Sequence, residues 1–345
     1  MNLTYFGYNV LKTDYRKLFN YITKCSKLTK MSKWTIIKDI LYCFFRYDTR
    51  FIDYFYFRFF DFNVNRIIHV SVWDMYKFHK KFNSLNSIIL RDKVRFREFY
   101  KEHSNYPFFV LKKDNMNDLS EWILKLKSNK IVCKNPFGTT GEGVLILSWK
   151  VKDNQLYIED ELASKKLKNL YEMGFSLFEA FINQHIVMQN LNPLSVNTIR
   201  IVTFLTKDGE VEIWGALLRI GNNKNVDNFD AGGISAPVDI KTGKVCTPGI
   251  KKDPFDNSNY YYHPITNEPI MNLVIPFWDN VIEMTKSIAL LNKDIRTVGW
   301  DVAITAEGPV FIEGNDNWDK THFELVSGIG LKEKIQNLLK ENQHS

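Results

Sequence analysis

The sequence predicts an α+β chain that opens with a mainly helical, aromatic-rich region, and three observations carry that prediction. The composition changes near residue 85. Before it, "DILYCFFRYDTRFIDYFYFRFFDF" is dense in aromatics with Arg46, Asp48, Arg50, Asp53, Arg58 and Asp61 interleaved, the pattern of amphipathic helices packed on a neighbouring surface. After it, helical and strand patterns mix, and "VGWDVAITAEGPVFIEGN" alternates on both sides of a turn-like "AEGP", as a β-hairpin does.

Taken in order from Leu90, "RDKVRFREFYKEH" opens a helix, and "NDLSEWILKLKS" forms another with Asp118 or Ser120 as its cap. Strands follow at "KIVCKNP", "VLILSW", "FEAFI", "TIRIVTFLT" and "EVEIWGALLRI", then the hairpin, and "GIGLKEKIQNLLKEN" closes the chain as a helix. A Gly/Asn/Asp/Pro-rich segment from Gly221 to Ile270 is too long for a plain connector, and ordered loops of that length are commonly functional. The aromatic N-terminal stretch has a second reading as a face that docks on a membrane surface or a partner.

With 345 residues, 45% hydrophobic and 25% charged, the chain is long enough to bury a sizeable core. The N-terminus lacks an uninterrupted apolar segment and no run approaches the ~18 apolar residues of a membrane span, so a cytoplasmic protein is expected. Cys25, Cys43, Cys133 and Cys246 are far apart with no CxxC spacing, which argues against a disulfide framework or a zinc site and for reduced, mostly buried thiols. The net charge of +7 shows no long basic block, and fits an anionic substrate such as a nucleotide or acidic sugar better than nucleic acid.

In the hairpin, a turn centred on Glu307 sets Asp301 opposite Glu313, with Asn315 on the same face and Val302, Ile304, Val310 and Ile312 on the other. Directly opposed like charges are destabilising, so the pair asks for a cation or a shared proton. Two carboxylates and an amide suit Mg²⁺ or Mn²⁺ rather than zinc. In "IVCKNPFGTTGEGV", Lys134 ends an apolar strand and is followed by Gly138, Thr139, Thr140, Gly141 and Gly143. Glycines let the backbone approach a ligand, and a lysine beside them offers a charge to phosphate; a plain tight turn between two strands is the other reading. A strand follows rather than a helix, so this is neither a Walker loop nor a dinucleotide turn. Arg200 and Arg219 interrupt apolar strands, where a guanidinium needs a partner: either a ligand in a cleft or a strand acid such as Glu212.

Lysine before a glycine-rich turn, an acid in an apolar strand (Glu179), two strand arginines, then Asp301 and Glu313-x-Asn315 resemble the ATP-grasp superfamily. "QHIVMQNLNPLSVNTIRIVTF", "VDNFDAGGISAPVD", "IPFWDN" and "GWDVAITAEGPVFIEGN" are similar to its sugar-transfer-associated branch, related to α-L-glutamate ligases, over about Leu90 to Trp318. The resemblance implies an ATP-grasp fold of two α/β subdomains clasping ATP, divided as 1–89 helical, 90–182 with the glycine loop and 183–345 with the metal site. It implies that Lys93 and Lys134 contact nucleotide phosphates under the Gly138–Gly143 loop, and that Glu179 with the backbone of Phe181 and Ile182 holds adenine. Gln184 and His185 stand where many members place a ribose-binding glutamate. Asp301, Glu313 and Asn315 would bind two Mg²⁺ ions, and Arg200 and Arg219 would serve the γ-phosphate as catalytic residues. Asp227, Asn228, Gly232 and Gly233, with His263 further along, are the candidate substrate contacts. The aromatic N-terminal region departs from the α/β domain that usually precedes such a core.

The expected activity is an ATP-dependent carboxylate–amine ligation through an acyl phosphate, joining an amine such as an amino acid to a uronic acid or other saccharide carboxylate of a surface polysaccharide. Peripheral association with membrane-bound polysaccharide machinery fits that context. The alternatives are a kinase acting on a sugar or other alcohol and a non-catalytic nucleotide-binding scaffold. Lys134→Ala is expected to weaken ATP binding and to leave the ligand-free melting temperature nearly unmoved.

Overall fold

The computed structural model describes residues 3–83, 87–104, 106–138, 143–222 and 227–341. The N-terminal region is helical, at Leu3–Lys12, Tyr15–Thr29, Lys33–Tyr47, Asp53–Tyr56 and Val72–Phe82. Asp14, Ser32 and Ser71 cap three of these helices by accepting from the backbone N–H of Lys17, Thr35 and Asp74, which satisfies donors that a helix start leaves free. Ile22, Cys25, Ile36, Phe44, Tyr54, Phe55 and Phe59 form a buried core there, and Phe255 and Leu325 from later in the chain pack against it. The interleaved charges are paired: Asp53 meets Arg50 and Lys320, and Asp39 meets Arg66. The aromatic run around Phe51–Phe60 is therefore mostly core.

The first sheet contains β1 (Phe108–Val110), β2 (Lys130–Lys134), β3 (Val144–Lys152), β4 (Gln155–Ile158), β5 (Glu161–Leu162) and β6 (Leu177–Ala180), in the order β1-β6-β2-β3-β4-β5. Helices Met116–Leu124 and Ala163–Glu172 bury Leu119, Ile123, Leu167 and Leu170 against it. The first of these begins after Asn115, so Asp118 and Ser120 lie inside the helix rather than at its cap, and the Ser120 hydroxyl donates to the Met116 carbonyl. The second sheet contains β7 (Thr198–Leu205), β8 (Val211–Ile220), β9 (Ile234–Val238), β10 (Thr297–Thr305) and β11 (Gly308–Asn315), in the order β11-β10-β7-β8-β9. Helix Trp278–Leu290 covers one face of it. Helices Lys320–Ser327 and Lys332–Lys340 end the described chain, the latter packing on Val72–Phe82.

Three differences from the sequence reading have physical causes. The helix expected across residues 91–103 is broken into Ile88–Arg91, Lys93–Phe99 and Lys101–Ser104, because Asp92 leaves the helical conformation and caps the next segment through the N–H groups of Val94 and Arg95. Those segments place Leu90, Phe96 and Tyr100 in the core under the second sheet, although the division at 89/90 groups them with the first. Residues 227 to 270, expected as part of a long ordered loop, contribute the strand β9 and the Phe255 anchor.

Candidate active site

The two sheets face each other across a cleft of about 440 Å³. Sheet register assembles its charged end. Asp301 on β10 pairs with Glu313 on β11 and, on its other side, with Arg200 on β7. Arg219 on β8 stands opposite Thr198, which shares a face with Arg200, so its side chain reaches the same point. Arg200 grips Asp301 with two N–H groups, Nη2 to Oδ2 at 2.8 Å and Nε to Oδ1, while Arg219 Nη1 donates to Oδ2 at 2.8 Å. Burial alone would raise the Asp301 carboxyl; the two guanidinium groups outweigh it and hold the group well below the usual carboxylate range. Glu313 is pushed up, by burial first and by the Asp301 charge second. Asn315 donates to Glu313 Oε1 at 3.3 Å.

The compensating cation for Asp301 is therefore a pair of arginines, and Glu212 takes neither of them, accepting instead from Lys334 and Trp214. A register shift between Asp301 and Val302 pairs Val302 with Phe311. The shift turns Ile312, expected on the core face, into the cleft lining.

At the other end, Glu179 is fully buried between Arg97 Nε at 2.5 Å and Lys134 Nζ at 2.6 Å. Burial opposes its charge, and the two cations overcome that, holding its pKa down at about 2. Lys134 and Glu179 both line the cleft, so the lysine faces the nucleotide side while it is paired with a buried carboxylate, and its removal bears on stability as well as on ligand binding. Lys93 Nζ donates to the Gly138 carbonyl and lines the cleft with Gly138. Gly143 has φ +73° and its carbonyl accepts from Asn135 N–H at 2.8 Å, closing the glycine turn. Thr139, Thr140 and Gly141 lie outside the described residues.

Asp227 and Asn228 line the cleft; Asp227 accepts from the Thr198 hydroxyl and pairs with Arg219 Nη2 at 3.3 Å. Gly233 supports that loop from behind: a Cβ there would meet the Asp227 and Asn228 carbonyls at 2.9 Å. Gly232 opens on a neighbouring cavity instead. His263 is a correction. Its ring is buried, with Nε2 2.9 Å from the Gly221 carbonyl and Nδ1 beside Thr266, so it holds the segment together and is not among the cleft residues. His185 is likewise not in the cleft lining; it caps helix Ile186–Leu191 through Val187 N–H. Gln184 lines the cleft while its amide ties Ser195 and Asn197 together.

A family model described as sugar-transfer associated ATP-grasp matches residues 75–340. The chain belongs to this family. A comparison with curated proteins finds none that matches. Among solved structures, the chain is similar to N5-carboxyaminoimidazole ribonucleotide synthetase from Thermotoga maritima at 13% identity and a TM-score of 0.40, over 75% of this chain and 52% of that one. It is similar to the ATP-grasp ligase PsnB at 12% identity and a TM-score of 0.43, over 75% and 63%, and to D-alanyl-alanine synthetase A from Vibrio cholerae at 10% and 0.44, over 74% and 64%. The match thus spans about half the length of the first of these.

The ATP-grasp cleft also holds residues that sequence reasoning missed. Tyr106, Val132, Val144, Ile146, Leu194 and Val196 line an apolar slot beside Phe181 and Ile182. Their signal was available only in part: Val132 lies on the Lys134 strand at period two, but Leu194 and Val196 come from a loop with no pattern of its own.

Proposed function

We propose that the protein is a Mg²⁺-dependent ATP-grasp ligase that joins a saccharide carboxylate to an amine. The observation that carries this reading is the row Glu313–Asp301–Arg200, with Arg219 beside it, at one end of a cleft whose other end is an apolar slot. The slot, with the Phe181 and Ile182 backbone, suits a flat base. Lys93 and the glycine turn suit phosphates, and the arginine pair suits the terminal phosphoryl group. Arg219 Nε is buried without a hydrogen-bond partner among the described residues, a donor left for a ligand.

The donor set fits a hard divalent cation: Glu313, raised by burial and then by the Asp301 charge, the Asn315 amide, and Asp301, whose oxygens also accept from Arg200 and Arg219. Those three residues would hold Mg²⁺, Mn²⁺ serving the same donors, and bound metal supplies neutralisation of phosphate charge. The residues of the chain do the rest. The substrate carboxylate attacks the γ-phosphorus, the bond to the β-phosphate oxygen breaks, and Arg200 and Arg219 stabilise the charge that moves. The amine then attacks the acyl carbon, and phosphate leaves as the C–N bond forms.

A second cavity of about 590 Å³ adjoins the first at Asp230 and supports a saccharide. Tyr21, Tyr56, Lys17 and Lys251 line it, with the Lys17 ammonium over both rings and donating to the Tyr56 hydroxyl at 2.8 Å, and neither lysine has an ion-pair partner among the described residues. The test is phosphate release over a panel of acids and amines, with hydroxylamine as trap. A hydroxamate is expected, with little release from ATP alone. A stable phosphoester on an alcohol would replace the ligase reading with a kinase, and absence of ADP under every condition would leave a binding protein.

A further inference from the structure

The net charge of the chain is less evenly distributed than the lack of a basic run suggests. Residues 1–47 hold nine Lys or Arg and two Asp, which is the whole of the net +7, and residues 48–345 are balanced. These residues lie outside the span 75–340 that the family model matches. Of the nine, Lys12, Arg16, Lys24, Lys27, Lys30, Lys33, Lys38 and Arg46 are exposed, and none makes a salt bridge within the described residues. Of the two acids, Asp39 is consumed by Arg66 and Tyr54, and Asp14 by its helix cap.

The same helices expose large apolar side chains in an ordered way. In Lys33–Tyr47 the inward face is Ile36, Ile40, Cys43 and Phe44. The opposite face carries Trp34, Lys38, Leu41 and Phe45 at spacings of four, three and four, with Tyr42 beside them. Trp34 is 74% exposed and Phe45 51%. Phe6 of the first helix stacks on Phe45 at 6.0 Å, and Leu11 of that helix is 85% exposed. An apolar aromatic face rimmed by unpaired lysines matches the surface of an anionic bilayer, where Trp and Tyr sit at the headgroup level and each cation meets lipid charge. Nucleic acid would use the cations and leave the aliphatic Leu11 and Leu41 in water. Among the described residues no helix is long and apolar enough to cross a membrane, so the contact is with the surface.

We infer that the helices within residues 3–47 dock the protein on an anionic lipid surface through Trp34, Leu41 and Phe45 and the surrounding lysines. The docking is independent of nucleotide chemistry and stands apart from the ligase reading. The test is sedimentation of the full chain with vesicles of phosphatidylcholine alone or with phosphatidylglycerol added. Partition onto the anionic vesicles at least roughly ten-fold above the neutral ones is expected, falling steeply with added salt. Trp34→Glu with Leu41→Glu, and separately Lys27→Glu with Lys30→Glu, are expected to lower it by roughly ten-fold or more with an unchanged melting temperature. All four positions are exposed, so folding is preserved. Equal partition onto both vesicles, wild-type binding by the Trp34/Leu41 variant, or retention on an oligonucleotide with no partition onto vesicles overturns the inference.

Discussion

Lys134 and Glu313 behave in opposite ways as single residues. Lys134 shares the buried Glu179 with Arg97 at the wall of the cleft, and removing one partner of a buried pair costs about 3 kcal/mol. Lys134→Ala is therefore expected to lower the ligand-free melting temperature by several degrees, measured by calorimetry, along with any loss of ATP affinity; an unmoved transition would mean Arg97 alone suffices. Glu313 is held up by burial first and by the Asp301 charge second, so its neutral isostere relieves both costs. Glu313→Gln is expected to keep or raise thermal stability while metal-dependent ATP turnover falls by at least roughly ten-fold; normal turnover would refute the metal assignment. The Asp301–Glu313 juxtaposition was legible in the hairpin pattern, but the turn that forms sets Thr305 opposite Gly308 rather than centring on Glu307, and the extra residue at the register shift restores the pairing. The grip of Arg200 on Asp301 was not legible, since it depends on a pairing between strands a hundred residues apart, which periodicity does not encode.

At the scale of elements, β10 is the strand on which the site depends. It lies between β11 and β7, and every residue of it is buried. Gly299 lets it do so: a Cβ there would come within 2.8 Å of Trp318 Cβ and 3.1 Å of Arg200 Cδ. Gly299→Ala is expected to cost about 1–3 kcal/mol and to displace Arg200, lowering turnover more than a remote substitution of equal cost in stability; kinetics at matched fraction folded would show the excess. The major strands were readable from their alternation. β9 was hidden in a stretch whose Gly, Asn and Pro content reads as loop, because its partner β8 supplies the pairing that its own sequence does not advertise.

The whole molecule is closed by an aromatic core in which Val72–Phe82, the second sheet and the C-terminal helices meet. His79 is buried there, edge-on to Trp318, and burial holds its pKa down to about 4. The unfolded chain binds that proton more readily between the ordinary value near 6.5 and the folded value near 4, so the stability this group supports is complete above the first and lost as pH falls toward the second. About 2 kcal/mol should be gone by pH ~5. Thermal melts at neutral and acidic pH should show the drop, and His79→Leu should flatten it; an equal drop in the variant would assign it elsewhere. None of this burial was visible in "MYKFHKKF", which reads as one more amphipathic turn.

Arg97 has a mechanical consequence. Its guanidinium holds Glu179 of the first sheet and, through Nη1 at 2.6 Å, the Phe311 carbonyl of the second, at a point sealed from solvent. A second fastening lies at the mouth of the cleft: Lys93, whose helix packs on β11, holds the Pro136 carbonyl through its N–H at 3.1 Å and the Gly138 carbonyl through its Nζ, so the foot of the glycine turn is tied to the same sheet as the metal donors.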